Sequence, residues 1–318
     1  MAVNFSGVKA ISIPEGNVKR ITDSAGRVLW KTAENSGALE NYTWAQIAAI
    51  GAAGTGAQYF NIGDTKTITL NGQIGDCLTL NNYQCKVFIL DFNYRGVNGI
   101  YFGGFKDMNG VDIALCDSEY EGYIYNGTKC FNFNHWSDSN YGGWKACDAR
   151  YDILGSTDIA PSGYGAAKTT SCVGYDATSA AKTNPVANTL MAALPADLRT
   201  ELEPWTVYSD NTGNKSNVAA NVTTSVDYLP LLSEFEVRGA RSYSNQYEQT
   251  QQSQMAYFTT YKNRVKYKHN DTGTICGWWN RSPGYNSEQY FCFIDNNGGT
   301  NIHSASLVFG LAPAFRIA

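Results

Sequence analysis

Charge is scarce in this chain. Only 16% of its 318 residues are Asp, Glu, Lys or Arg, so a water-facing surface has to be built largely from Asn, Ser, Thr, Tyr and Gly. Such a composition is unusual for a cytosolic enzyme and common in proteins that work outside a cell. The net charge of −4 leaves no broad basic field, which argues against nucleic acid as a partner. There is no apolar run long enough to span a bilayer, so membrane insertion is not expected. The first residues, MAVNFSGVKA, lack the basic-then-apolar order of a signal peptide, so the expectation is synthesis in the cytoplasm and no ordinary export route.

The signatures of catalysis are also missing. The three histidines, His135, His269 and His303, stand in no H-E-x-x-H or similar spacing, and a triad would need distant partners that the sequence does not announce. The eight cysteines, at 77, 85, 116, 130, 147, 172, 276 and 292, contain no C-x-x-C pair, which speaks against zinc. Gly51, Gly54 and Gly56 follow a helix rather than precede one and lack the Lys-Ser/Thr of a phosphate loop. Asp117, Glu119 and Glu121 are not clustered as a calcium cage requires. Glu234 and Glu236 would share a face in a strand, where a solvated edge outweighs acid–base work. The reading is therefore a protein that is not an enzyme, with no catalytic residue, no metal and no cofactor assigned.

What the chain does contain falls into three parts. Residues 1–32 read as a β module: strands at Val8–Ile13, Val18–Thr22 and Arg27–Trp30, with turns at Pro14–Gly16 and Asp23–Gly26. Three strands this short cannot bury a core and need a partner. Residues 33–42 read as a linker, and 43–318 as the main domain. Thr43 with Gln46 forms a capping box for a helix whose apolar stripe is Trp44, Ile47, Ala48 and Ile50. Strands are expected at Thr65–Leu70 and Lys86–Phe92, the second apolar enough to lie mid-sheet. The span from Asn93 to Gly143 reads as long ordered loops. Trp144–Leu154 reads as one helix, with Ser139 or Asn140 near its start. Helical pieces at Val186–Ala193 and Ala196–Leu202 are separated by Pro195. Helices early with short strands and long loops late make an α+β pattern.

The most informative stretch is Cys276–Ala318. Its ends read as scaffold: Trp278 and Trp279 offer apolar area, Arg281 a planar cation, and Pro313, Phe315 and Ile317 an apolar closing strand. Its middle resembles a paratope, alternating aromatic with small polar residues. The candidate ligand-binding residues are Asn280, Tyr285, Asn286, Ser287, Tyr290, Phe293, Asp295, Asn297, Thr300, Asn301, His303, Ser304, Ser306 and Val308. Many of these residue types are reachable from Asn codons by changes at adenine alone.

Several separated motifs together resemble a known group. TWAQIAAI (Thr43–Ile50), FNIGD (Phe60–Asp64), NYGGWKACDARYDIL (Asn140–Leu154), LPADLRTEL (Leu194–Leu202), DYLPLLSEFEVRG (Asp227–Gly239), GWWNRSP (Gly277–Pro283) and GLAPAFRI (Gly310–Ile317) look like a domain family common in gut bacteria and their prophages. Its C-terminal half is similar to the C-type lectin-like fold, shared by formylglycine-generating enzymes. The same fold, with a similar WW-to-PAF frame, serves the variable proteins of diversity-generating retroelements, including phage tropism determinants. IPEGNVKRITDSAGRVLW resembles N-terminal modules of phage tail proteins. Two positions depart from the pattern: Asn280 stands where the family has Leu, which assigns it to the variable surface, and Pro230 stands where Phe is usual.

The resemblance implies a tail-associated receptor-binding protein of a phage or prophage, located on the virion. Its C-terminal surface, diversified by a retroelement, would recognise a bacterial surface protein or glycan. The N-terminal strands would attach it to other tail proteins, and a homo-oligomer, a trimer by resemblance, would supply avidity. Assembly in a reducing cytoplasm implies that most of the cysteines are small buried hydrophobes. The alternatives are a bacterial surface adhesin of the same fold, or an enzyme on the formylglycine-generating scaffold using Cys276 with Cys292.

Overall fold

The computed structural model describes residues 20–22, 28–31, 38–116, 122–124, 126–158 and 176–318. The expected strand at Val8–Ile13, the turns at Pro14–Gly16 and Asp23–Gly26, Cys172 and the Asp117–Glu121 carboxylates lie outside these residues. Of the N-terminal module, β1 (Arg20–Thr22) and β2 (Val28–Lys31) pair antiparallel, with Ile21 opposite Trp30.

The main domain is structured from Ala38, five residues before the expected start. Ala38–Asn41 forms a single 3₁₀ turn with Leu39 fully buried, and the Glu40 carboxylate accepts the Thr67 amide at 2.8 Å. The first helix, α1 (Trp44–Ala52), begins at the capping box expected of Thr43 and Gln46. Trp44, Ile47, Ala48 and Gly51 face inward. Gly51 is required there because a Cβ would lie 2.4 Å from the Ile317 carbonyl oxygen, so the helix rests directly on the last strand of the chain. A short α2 (Gly56–Tyr59) follows.

β3 (Thr65–Ile74) and β4 (Leu78–Phe92) form a long hairpin. The burial of β3 alternates over its first half, and Val87–Leu90 of β4 are all inaccessible to solvent. The loops expected over Asn93–Gly143 contain instead the strand on which the main sheet turns. β5 (Ile100–Lys106) pairs with β4 on one side and joins β6 (Asp112–Ala114) at its far end. Its sequence, IYFGGFK, has no period-2 alternation because the strand is buried on both faces, and because Gly103 is a packing requirement: a Cβ would stand 2.3 Å from the Leu90 side chain.

The single helix expected over Trp144–Leu154 is two short ones, α3 (Gly143–Ala146) and α4 (Asp148–Asp152). The break is at Cys147, whose extended backbone (φ −70°, ψ 146°) belongs to neither. α3 starts from left-handed Gly142 rather than from a Ser139 or Asn140 cap. α5 (Ser179–Thr183), α6 (Leu190–Ala193) and α7 (Ala196–Thr200) follow, with Pro195 at the start of the last, as its rigid φ favours. The first of the two helical pieces expected around Pro195 thus starts later than Val186, and the second gives way at Leu202 to the short strand β7 (Leu202–Glu203).

β8 (Trp205–Asp210) and β9 (Val222–Asp227) pair antiparallel, and α8 (Glu234–Arg238) comes next. β10 (Lys266–Lys268) runs parallel to β6 and carries β11 (Asp271–Cys276) at the sheet edge. β12 (Trp278–Pro283), β13 (Tyr290–Ile294) and β14 (Thr300–Ser304) make a separate antiparallel sheet. β15 (Ala314–Ile317) returns to the main sheet between β5 and β7. Among the described residues the main sheet has eight strands. The architecture is α+β: helices cluster outside a mostly antiparallel sheet rather than alternating with its strands.

A framed C-terminal surface as candidate functional site

The frame is built on β12, all six residues of which are buried. Trp279 donates its indole N–H to the Phe131 carbonyl at 2.8 Å and Trp278 donates to Arg264 at 2.8 Å. Each large ring is thereby buried without an orphaned donor. Backbone bonds from Trp279 to Gly310 and from Gly310 to Gly277 tie the WW segment to the closing segment. Phe315 stacks on Phe102 with ring centroids 5.3 Å apart, and the Pro313 carbonyl accepts from Gly104 at 2.8 Å. The five residues expected to act as scaffold, Trp278, Trp279, Arg281, Pro313 and Phe315, are all buried.

Charged residues complete the frame. Arg281 is fully buried and meets Glu236 through two hydrogen bonds, 2.6 and 2.9 Å long. Its remaining donors go to the carbonyls of Leu231 and Tyr208. Glu236 also closes a capping box with Ser233 at the start of α8. Glu234, on the same short helix, accepts the backbone amides of Ser242, Tyr243 and Ser244 and so holds the loop after α8. The two glutamates therefore serve structural hydrogen bonding, and they do so from a helix turn, not from a strand. Glu248 is fully buried against the hydroxyl of Ser282, at 2.6 Å, and burial pushes its carboxyl up to about 7.

On this frame the fourteen candidate ligand-binding residues divide. Asn286, Asn297 and Asn301 are exposed, and Tyr285, Ser287, Tyr290, Asp295 and His303 are half-buried. These eight lie on the Gly284–Gln289 turn, on the β13–β14 turn and within the two strands, where the register puts Tyr290 on one face and Asn301 and His303 on the other. The other six are interior. Asn280 is fully buried in β12 and neither atom of its amide has a hydrogen-bond partner among the described residues, which corrects its assignment to the surface. Phe293 stacks on Phe309 at 4.2 Å and turns its edge to Trp279. Thr300, Ser304, Ser306 and Val308 are buried as well. Ser304 and Ser306 spend their hydroxyls on Asp138. In a five-residue strand, alternate side chains must face the core, so a continuous run of candidates could not all be surface.

Neighbours of this run were hidden in the region read as loops. Residues 122–124 and 126–138 are tied to the C-terminal run by backbone bonds from Ile124 to Ser306, Val308 to Gly122 and Phe133 to Ala305. This places Tyr123, 60% exposed, against the His303 ring at 5.8 Å and Asp138 against the hydroxyls of Ser304 and Ser306, while Trp136, 48% exposed, packs beside Gly127. Their only sequence signal was that of large aromatics in a stretch poor in other apolar residues. A cleft of about 430 Å³ is lined by Lys215, Asn286, Ser287, Glu288, Gln289, Tyr290 and Ile302. His303 accepts the Ser304 amide at Nδ1, and burial lowers its pKa below the ordinary value, so the ring is neutral near pH 7.

The cysteines and remaining histidines fall elsewhere. Cys77 and Cys130 form a disulfide across 53 residues. Cys85, Cys116, Cys147, Cys276 and Cys292 are buried thiols. The neighbour of Cys276 is Cys116, with sulfurs 3.8 Å apart, rather than the expected Cys292. The Cys116 thiol is held protonated by its bond to Cys276 and by burial, and burial raises Cys292 too; a nucleophilic cysteine needs the opposite shift. His269 is buried, accepts the Cys116 amide at Nδ1, and is pushed down to about 4 by desolvation. His135 bonds Asn132 at 2.7 Å in the interior. Among the described residues no group of three His, Cys, Asp or Glu is placed to hold a metal ion, and no helix is long and apolar enough to cross a membrane.

Residues 188–318 match the model of a protein family described as a domain of unknown function (DUF6273). The match runs from just before α6 to the end of β15 and so takes in the whole frame and the β12–β14 sheet. No curated protein and no solved structure matches the chain.

Proposed function

We propose that this chain is a non-enzymatic recognition protein: a tail-associated receptor-binding protein of a phage or prophage, with a C-type lectin-like ligand domain. The observation that carries the reading is the contrast between an interior frame and what it displays. β12 is buried along its whole length and pinned by Arg281 and the two tryptophans, while β13, β14 and the turns beside them leave Tyr285, Asn286, Ser287, Tyr290, Asn297, Asn301 and His303 accessible. Rigid aromatics with adaptable polar neighbours on a stiff support are what a recognition surface requires. The ligand is a bacterial surface protein or glycan, the N-terminal strands attach the chain to other tail proteins, and an oligomer, a trimer by resemblance, raises avidity. Retroelement diversification would act on the displayed residues and spare the frame.

The test is binding of the purified protein to a panel of intact gut bacteria, with a Tyr285→Ala, Tyr290→Ala, His303→Ala triple variant beside it. Some strains are expected to bind the wild type and to lose the variant while its melting curve is unchanged. Equal binding by both, or binding by neither to any strain, would overturn the reading.

A further inference from the structure

A second cavity, of about 440 Å³, opens between β8, the loop joining β4 to β5, and the Arg316 side chain of β15. One wall is aromatic. Tyr94, Tyr101 and Trp205 meet edge to face, with centroids 5.7, 5.9 and 5.1 Å apart, and Tyr208 also lines the cavity. Glu236 is the one carboxylate among the lining residues, and its charge is already taken by Arg281.

Two guanidinium groups line the cavity, which leaves it net positive. Arg316 is held in place by donating to the carbonyls of Asn98 and Pro204 at 3.0 and 3.1 Å. Arg95 makes no hydrogen bond or ion pair among the described residues, although its backbone is left-handed (φ 52°, ψ 34°). For a residue with a side chain that conformation is costly and asks for compensation. Asn93, two residues earlier and also left-handed, has it: its amide bonds Gly54 and Gly99. Arg95, which is exposed, has none among the described residues. The side chains of Thr206, Tyr208 and Gln251 likewise line the cavity and make no hydrogen bond among the described residues.

We propose that this cavity binds a carboxylate-bearing sugar. A planar fork suits a carboxylate in two-point contact. The partly exposed Tyr208 ring, backed by the buried Tyr94, Tyr101 and Trp205, suits the C–H face of a pyranose ring, and hydroxyl and amide groups without partners among the described residues suit its hydroxyls. A neutral sugar would leave the guanidinium groups unanswered, and a purely aromatic acid would leave Thr206 and Gln251 so. The site shares no residue with the β12–β14 face and does not depend on the receptor-binding reading.

The experiment is titration calorimetry on the full chain with glucuronate, galacturonate and N-acetylneuraminate, against glucose and galactose. At least one acidic sugar is expected to bind, with its neutral counterpart at least about tenfold weaker. Arg95→Ala is expected to weaken binding about tenfold, and Arg95→Gly, which suits the left-handed backbone, to weaken it equally while raising the melting temperature. The Tyr285, Tyr290, His303 triple variant is expected to bind the acid as the wild type does, so failure here and failure of receptor binding are separable. Absence of binding by all three acids, equal binding of acid and neutral sugar, or unchanged affinity in the Arg95 variants would each overturn the proposal.

Discussion

Arg281 and Glu236 form a bidentate ion pair in which the guanidinium is fully buried and the carboxylate nearly so. It joins β12 to α8, and so connects the sheet that presents the surface to the helix turn that supports it. Because each charge was desolvated to reach this position, removing one leaves the other buried and unanswered. Arg281→Leu is expected to destabilise the protein by about 3–5 kcal/mol. The Arg281→Leu, Glu236→Leu double variant should recover much of that loss. Urea unfolding of the three proteins measures the difference; a single variant within about 1 kcal/mol of wild type would contradict the argument.

Asn280, on the same strand, predicts the opposite sign. Its amide is buried with all of its hydrogen-bonding capacity unused among the described residues. A leucine, with the same branched four-atom side-chain skeleton, would replace an unsatisfied polar group with an apolar one, and the expected gain is about 1–3 kcal/mol where the strand's neighbours accommodate its bulkier methyl groups. A higher denaturation midpoint for Asn280→Leu, with an unchanged m-value, is the outcome to look for.

Glu248 makes stability depend on pH in an unusual direction. Its folded pKa is raised from 4.5 to about 7 by burial, so the folded state holds the proton more tightly than the unfolded chain does. The stabilisation from this group is fully present below about pH 4.5 and is lost as pH rises through about 7. The loss is on the order of 3 kcal/mol. Other carboxylates slope the opposite way, so the informative quantity is the wild-type stability minus that of Glu248→Gln, measured from pH 4 to 8. That difference should fall with rising pH; a flat difference would show that Glu248 titrates alike in both states.

Tyr123, whose ring meets that of His303, and the exposed Trp136 of the same segment are candidates to extend the proposed recognition surface beyond the C-terminal run. Both are largely exposed, so alanine at both positions should change stability by less than about 1 kcal/mol. Large aromatics are disproportionately often binding anchors, with losses of about 2 kcal/mol or more on truncation. The Tyr123→Ala, Trp136→Ala variant is therefore expected to lose at least about tenfold in affinity for the bacterial strains that bind the wild type. Undiminished binding would confine the surface to residues 285–303.

By itself, the sequence determined those features whose cause lies within a few residues. The Thr43–Gln46 capping box starts α1 where the two side chains stand three apart. The alternation in Thr65–Leu70 marks β3, Pro195 opens α7, and the apolar ends of Cys276–Ala318 mark the frame. Each is a local preference for a backbone state or a burial pattern along one element. Only the tertiary structure decided what depends on partners far along the chain. β5 is a strand because β4 and β15 flank it, despite its adjacent glycines. The helix over 144–154 breaks at Cys147. Asn280 faces inward because all of β12 does. Tyr123 meets His303 only because backbone bonds tie residues 122–124 to Ser306 and Val308. Periodicity reports which residues are apolar; it does not report which distant segment will cover them, and that is what sorted the fourteen candidates into eight accessible side chains and six buried ones.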